Sequence, residues 1–206
     1  MPRFFFTGDQ HLGHKRIIEL SKRPFTSVEE HDTQIIDAWN KTVSRSDTVV
    51  TVGDFSMEGK YEDLRYKYIR HLHGNIIWIK GNHDSGWMKQ SKVPFPVRHL
   101  WHKQIREGDR RKGAKGPFLA CSHYPMRSWN RSQYGSFNLH GHCHGEIEPW
   151  YNQMDVGIDN AYKIFGDHRP IELLQIVEII KETNKGAKGH DYHATHDDQN
   201  WVPWPL

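Results

Sequence analysis

Three times before residue 85, a short apolar run stops at a glycine that is followed by an acid or an amide. Arg3 to Thr7 runs into Gly8-Asp9, Thr48 to Val52 into Gly53-Asp54, and Ile76 to Ile79 into Lys80-Gly81-Asn82. Each run has the length and the aromatic or β-branched content of a buried strand. Helical patterns lie between them. Lys15 to Ser21 reads as a short helix stopped before Pro24. Ser27 and Glu30 stand at the two positions of a capping box, and Val28, Ile35, Ile36, Trp39 and Val43 recur at helical spacing. Glu58 to Leu72 repeats the pattern, with Leu64, Tyr68, Ile69 and Leu72 inward. Strand, helix, strand, helix, strand favours a parallel sheet built from βαβ units, because parallel neighbours need a crossover. In such a sheet the carboxyl ends of the strands share one edge, where ligands bind.

The second half adds strands of the same kind. Val93 to Ile105, with Pro94 and Pro96, reads as an edge strand or hairpin arm. Pro117 to Ser122 ends in His123-Tyr124-Pro125, and Ser136 to Leu139 ends in His140-Gly141-His142-Cys143-His144. Asn152 to Ile158 reads as a further strand and Ile171 to Glu182 as a closing helix. Gly108 to Gly116 is basic and reads as a solvated hairpin tip, with a phosphate- or nucleic-acid-contacting lobe as the sharper alternative. The fold class is α/β, with one domain over residues 1–183 and a polar tail over 184–206. In the tail, Trp201 and Trp204 are candidate docking residues. His190, His193 and His196 read as solvated, with a weak metal site as the alternative.

Composition narrows the classes. Hydrophobic residues are 36% of 206, but 8 Trp, 8 Tyr and 9 Phe supply enough apolar area for a core, which excludes a disordered chain. A net charge of +3 suits a phosphate-bearing substrate without demanding nucleic acid. Cys121 and Cys143 are too few for a disulfide framework, which points to the cytoplasm, and no apolar run is long enough to span a membrane. Histidine is in excess at 16, which raises the expectation of metal binding or acid–base chemistry.

The five junctions deliver Asp9, His11, Asp54, Asn82, His123, His142 and His144. Seven oxygen and nitrogen donors exceed one tetrahedral ion and suit two ions sharing a carboxylate. Donors without thiolate favour Mn, with Fe, Zn, Ni or Mg as alternatives. Two divalent cations, two carboxylates and one hydroxide leave roughly +1 at the site, which fits a phosphate ester attacked by the bridging hydroxide. His83 is then free to protonate the leaving oxygen, with Asp84 orienting its ring. His14 and Arg16 after the first junction, and Arg127 and Arg131 after His123, are candidate substrate contacts. His140 reads as a packed or supporting residue and not a ligand.

Asp9-x-His11, Gly53-Asp54, Gly81-Asn82-His83-Asp84, His123 and Gly141-His142-Cys143-His144 together resemble the five ordered motifs of the calcineurin-like metallophosphoesterase superfamily, over about positions 4 to 160. Gly13-His14-Lys15, Arg23-Pro24-Phe25 and Ser122-His123-Tyr124-Pro125 resemble a compact bacterial and phage-type branch of it. Gln10, Leu12 and Cys143 depart from the wider family's usual residues, and none is a ligand position. The resemblance implies a four-layer αββα sandwich. It implies one ion on Asp9, His11, Asp54 and His144, a second on Asp54, Asn82, His123 and His142, and His83 as leaving-group acid. The expected activity is hydrolysis of phosphodiesters of nucleotide or cyclic-nucleotide type. A phosphomonoesterase or protein phosphatase is the alternative, and a non-catalytic scaffold is disfavoured because all the ligand types are present. The sequence leaves the oligomeric state open.

Overall fold

The computed structural model describes residues 2–89, 91–105 and 116–184. The basic residues 108–115, the histidines at 190, 193 and 196, and Trp201 and Trp204 lie outside the described residues.

The first sheet has the order β3-β2-β1-β8. Its strands are β1 (Phe4–Thr7), β2 (Thr48–Thr51), β3 (Asn75–Trp78) and β8 (Ile171–Glu172). β1, β2 and β3 pair in parallel and β8 joins β1 antiparallel. The crossovers are α1 (Lys15–Leu20) with α2 (Val28–Thr42), and α3 (Tyr61–Lys67). The Ser27 hydroxyl accepts the Glu30 N–H, and the Glu30 carboxylate caps one residue further out, on the N–H and hydroxyl of Thr26.

The second sheet has the order β4-β5-β6-β7. Its strands are β4 (Leu100–Gln104), β5 (Phe118–Ser122), β6 (Phe137–His140) and β7 (Gln153–Asp155). β4 is the antiparallel edge, as the two prolines before it imply. α4 (Ile158–Phe165) and α5 (Leu173–Asn184) follow β7 and β8. The architecture is an α/β sandwich of two parallel-rich sheets flanked by helices.

Period-2 alternation divides the core. Phe6, Val50, Leu119, Cys121, Leu139 and Met154 meet in one cluster between the sheets, with Ile176 and Ile180 of α5 closing it. Phe5 and Val49, one residue out of phase, join the second cluster with Ile35 and Trp39 of α2 and Leu64 of α3. The opposite face of the second sheet is polar. There Asn138 Oδ1 accepts the Met126 N–H at 3.2 Å, and the Gln153 amide donates to the Met126 carbonyl at 2.8 Å, so the connection after β5 covers that face.

Three expected elements differ. The helix expected over Glu58 to Leu72 is shorter: Tyr68, at ψ −60° and φ −127°, ends α3, and only a 3₁₀ turn, Ile69–His71, continues. The strand expected to reach Ile158 stops at Asp155, and Gly157 opens α4. Ile171 and Glu172 pair with β1 before α5 begins.

Candidate metal centre

The C-terminal ends of β1, β2, β5 and β6 and the loop after β3 meet at one edge of the sandwich. Asp9, His11 and His144 bring ligand atoms within 4.8 Å of one another, as do Asp54, His123 and His142. A third triplet, His11, Asp54 and His83, overlaps both and places Asp54 between the two halves. These residues come from both sheets.

The backbone there is unusual. Asp9, His11, Asp54, His142 and His144 all have left-handed φ, between 50° and 69°. The other described non-glycine residues in that region are Lys22, Arg131 and Tyr151. A left-handed non-glycine residue costs about 1–2 kcal/mol, so its concentration at one edge points to a function that the fold sustains. Tight hydrogen bonds impose it. The N–H groups of Asp9 and His11 donate to the carbonyls of Gly53 and Asp54 at 2.9 Å each, tying the β1 loop to the β2 loop. The His142 N–H donates to the Asp9 carboxylate at 3.0 Å.

Side chains present acceptors inward. His123 donates from Nδ1 to the Val52 carbonyl at 3.0 Å, which turns Nε2 toward Asn82 Oδ1 at 2.8 Å and Asp54 Oδ2 at 3.4 Å. His144 Nδ1 meets Asp159 Oδ2 at 2.6 Å, which fixes its ring with Nε2 directed away from that carboxylate. His11 Nε2 is buried without a hydrogen-bond partner and lies 3.6 Å from Asp54 Oδ2. A buried, unpartnered ring nitrogen facing a carboxylate is a donor set that a cation completes.

Electrostatics agree. Burial and the adjacent Asp155 push the Asp9 carboxyl up to about 7. Burial holds His11 far below the usual imidazole range. Burial also opposes charge on His123 and His144, but Asp54 and Asp9 for the first, and Asp159 and Asp9 for the second, outweigh it and raise both. The carboxylates thus raise the proton affinity of both rings, and a bound cation would compete with protons there.

Asn82 and His83 are exposed, and His83 opens a 3₁₀ turn, His83–Ser85. The His83 N–H donates to Asp54 Oδ1 at 2.8 Å, and its ring lies 5.0 Å from His11 and 6.0 Å from His14. Asp84 is fully buried. Its carboxylate accepts the N–H groups of Gly81, Asp54 and Phe55 and the Trp87 indole, at 2.8 to 3.1 Å. The His83 ring is not among these partners, so the expected orientation of that ring by Asp84 gives way to a clamp on the Asp54 loop.

His14 approaches the cluster, its Nδ1 3.5 Å from that of His11, and Arg16 lies exposed on the first turn of α1. Arg127 stacks over Trp150 at 4.5 Å. Arg131 does not reach the site: its guanidinium sits over Phe118 at 5.1 Å, at the opposite end of β5 from His123. His140 is buried, with Nδ1 2.9 Å from the Gly141 carbonyl. Sequence reasoning missed Arg23 and Asp159 as site residues. The only signal was Arg23-Pro24-Phe25 in the resemblance, and nothing linked it to an acid 136 positions away.

A profile of calcineurin-like phosphoesterases matches residues 2–201. An uncharacterized archaeal protein, MJ1445 of Methanocaldococcus jannaschii, is 24% identical over 88% of this chain and 93% of its own length. The gene 66 protein of Mycobacterium phage L5 is 28% identical over 77% of this chain and 87% of its own. The solved structure of a protein of unknown function from Aquifex aeolicus, AQ665, shares the fold at a TM-score of 0.57 and 20% identity, over 87% of this chain and 100% of that one. With the profile spanning nearly the whole length and the acid, amide and imidazole donors gathered at one edge, the chain belongs to the calcineurin-like phosphoesterase family.

Proposed function

We propose that this metal-dependent phosphoesterase is a dinuclear enzyme acting on phosphodiesters, nucleotide or cyclic-nucleotide in type. Asp9, His11, Asp54 and His144 hold one divalent ion, and Asp54, Asn82, His123 and His142 hold the other, with Asp54 shared. Mn is the first choice for these oxygen and nitrogen donors. The observation that carries the reading is the unpartnered His11 Nε2 facing Asp54, beside a His123 Nε2 that faces only acceptors.

Bound ions supply Lewis-acid polarisation of the phosphoryl group and a water of lowered pKa. The chain's own residues do the rest. The exposed ring of His83, a residue whose backbone N–H is held by Asp54 Oδ1, donates a proton to the departing oxygen. Such a donor matters most when the leaving group is a poorly acidic alkoxide, which is why a diester is favoured. Asp84 positions both the Asp54 loop and the His83 turn. His14 and Arg16 on one side, and Arg127 on the other, contact the substrate. Two free cysteines suit a reducing, cytoplasmic setting.

The test compares bis- and mono-nitrophenyl phosphate after chelation and after Mn addition. Activity should vanish on chelation, return with Mn and favour the diester. A clear monoester preference would reassign the enzyme as a phosphomonoesterase.

A further inference from the structure

Arg23 is a buried side chain with every donor engaged, and nothing in the reaction just outlined uses it. Its side chain has no solvent exposure. An arginine has five N–H donors in a fixed fork. Here Nε and Nη2 grip the two oxygens of Asp159 at 2.8 Å each. Nη2 also donates to the Asp9 carbonyl at 2.6 Å, and Nη1 to the Gln10 carbonyl at 3.0 Å and to His31 Nε2 at 2.7 Å. Those contacts occupy all five donors.

The partners matter more than their number. Asp159 is the residue that holds His144 Nδ1. Asp9 is the residue whose left-handed backbone aims its carboxylate into the centre. One guanidinium therefore fixes Asp9 through its main chain and His144 through a carboxylate. Across Arg23, His31 passes the grip to Asp32 at 2.7 Å, and Asp32 accepts the Gly13 N–H at 3.0 Å, steadying the loop that carries His11. All three members of the Asp9–His11–His144 triplet are reached. The Asp54–His123–His142 triplet is reached only at second hand, through the Asp9 carboxylate that accepts the His142 N–H and the His11 N–H that donates to the Asp54 carbonyl; its direct supports are Asp84 and the Val52 carbonyl.

We propose that Arg23 and Asp159 form a positioning pair for one half of the metal centre, so that they govern the affinity of the Asp9–His11–His144 ion and leave the Asp54–His123–His142 ion largely unaffected. The inference rests on the two-ion reading above. Outer partners of metal ligands carry about 10–100-fold in affinity. Their uneven placement makes the two half-sites separable: one supported by a buried ion pair, the other by backbone and a clamped loop.

The experiment titrates chelator-stripped full-length protein with Mn and counts bound ions by elemental analysis after dialysis. The electron paramagnetic resonance signal then distinguishes spin-coupled pairs from single ions. Wild type should bind two ions and show a coupled signal. Arg23→Lys keeps the charge but loses the fork, and Asp159→Asn keeps the shape but loses the bidentate acceptor. Each should retain one ion at wild-type affinity, weaken the other at least tenfold, and show an uncoupled signal. Circular dichroism and thermal melting of the stripped proteins report folding separately. Two coupled ions at wild-type affinity in both folded variants would overturn the proposal, as would equal weakening of both ions. Loss of folding in both variants would also overturn it, by assigning the pair to stability alone. One ion or none in wild type would instead refute the dinuclear reading.

Discussion

Asp84 Oδ2 accepts the backbone N–H of Asp54 at 2.8 Å, although thirty positions separate the two in the chain. The other oxygen takes the N–H of Phe55 at 2.9 Å and the Trp87 indole at 3.1 Å. An asparagine would turn an N–H₂ toward at least one of these donors. Asp84→Asn should therefore lose about 1–3 kcal/mol of stability, the penalty for a buried group left facing its own kind. It should also weaken Mn binding, because Asp54 moves with its loop. Urea unfolding of the ion-free variant, paired with a Mn titration, checks both effects; an unchanged midpoint would remove Asp84 from the site's framework.

The role of His83 is read from leaving groups. His83→Ala should lower kcat on an alkyl diester by about 10²–10⁴, the range for a lost general acid. With nitrophenolate, which departs without protonation, the loss should be much smaller. Equal losses on both esters would make His83 a binding residue.

Gly141 must be a glycine. A Cβ there would lie 2.6 Å from Asp9 Oδ2, in the space that the carboxylate fills between Gly141 and Gly157. Gly141→Ala should push the Asp9 carboxylate out of line and lower Mn affinity, while far-ultraviolet circular dichroism stays that of the parent. Retention of parental Mn affinity would show that Asp9 can retreat without cost.

Acid should weaken the ion-free protein, in part through His168. Burial and the nearby Arg23 hold His168 neutral, its pKa lowered from 6.5 to about 4, and its ring stacks on that of Tyr162 at 4.7 Å. Between those two values the unfolded chain binds a proton that the folded chain refuses. Stability from this group is complete above about 6.5 and falls as pH drops toward about 4. The full loss is up to about 3 kcal/mol. His168→Phe keeps the stack with Tyr162 and Phe25 and removes the proton. Its unfolding free energy should fall less between pH 7 and pH 4.5 than that of wild type; parallel curves would exclude His168.

What the sequence revealed, and what it hid, follows range. The strand ends were legible because each pairs a short run of aromatic or β-branched residues with a local punctuation mark, as at Val52-Gly53-Asp54. The α2 start was legible because Ser27 and Glu30 act within one turn. Asp84 was misread because adjacency in sequence suggested contact with His83. The 3₁₀ turn instead exposes His83 and buries Asp84. Arg131 was misread because nearness to His123 in sequence says nothing about a loop that doubles back toward the start of β5. Arg23 and Asp159 stayed hidden because their pairing is tertiary, and no spacing rule joins α1's exit to α4. The α4 helix itself was missed because Gly157, read as a residue within a strand, stands at a helix start.

The candidate ligands come from two sheets, and the Asp9 carboxylate already touches a residue 133 positions away, the His142 N–H. An ion seated between Asp9 and His144, or between Asp54 and His123, would join distant stretches of a chain whose two cysteines are both free. Such an ion is a cross-link. In the chain-entropy account, closing a loop of that order with a covalent bridge removes roughly 4–5 kcal/mol of freedom from the unfolded state. A reversible staple of this kind differs from a disulfide in one respect: its strength follows the free concentration of the metal.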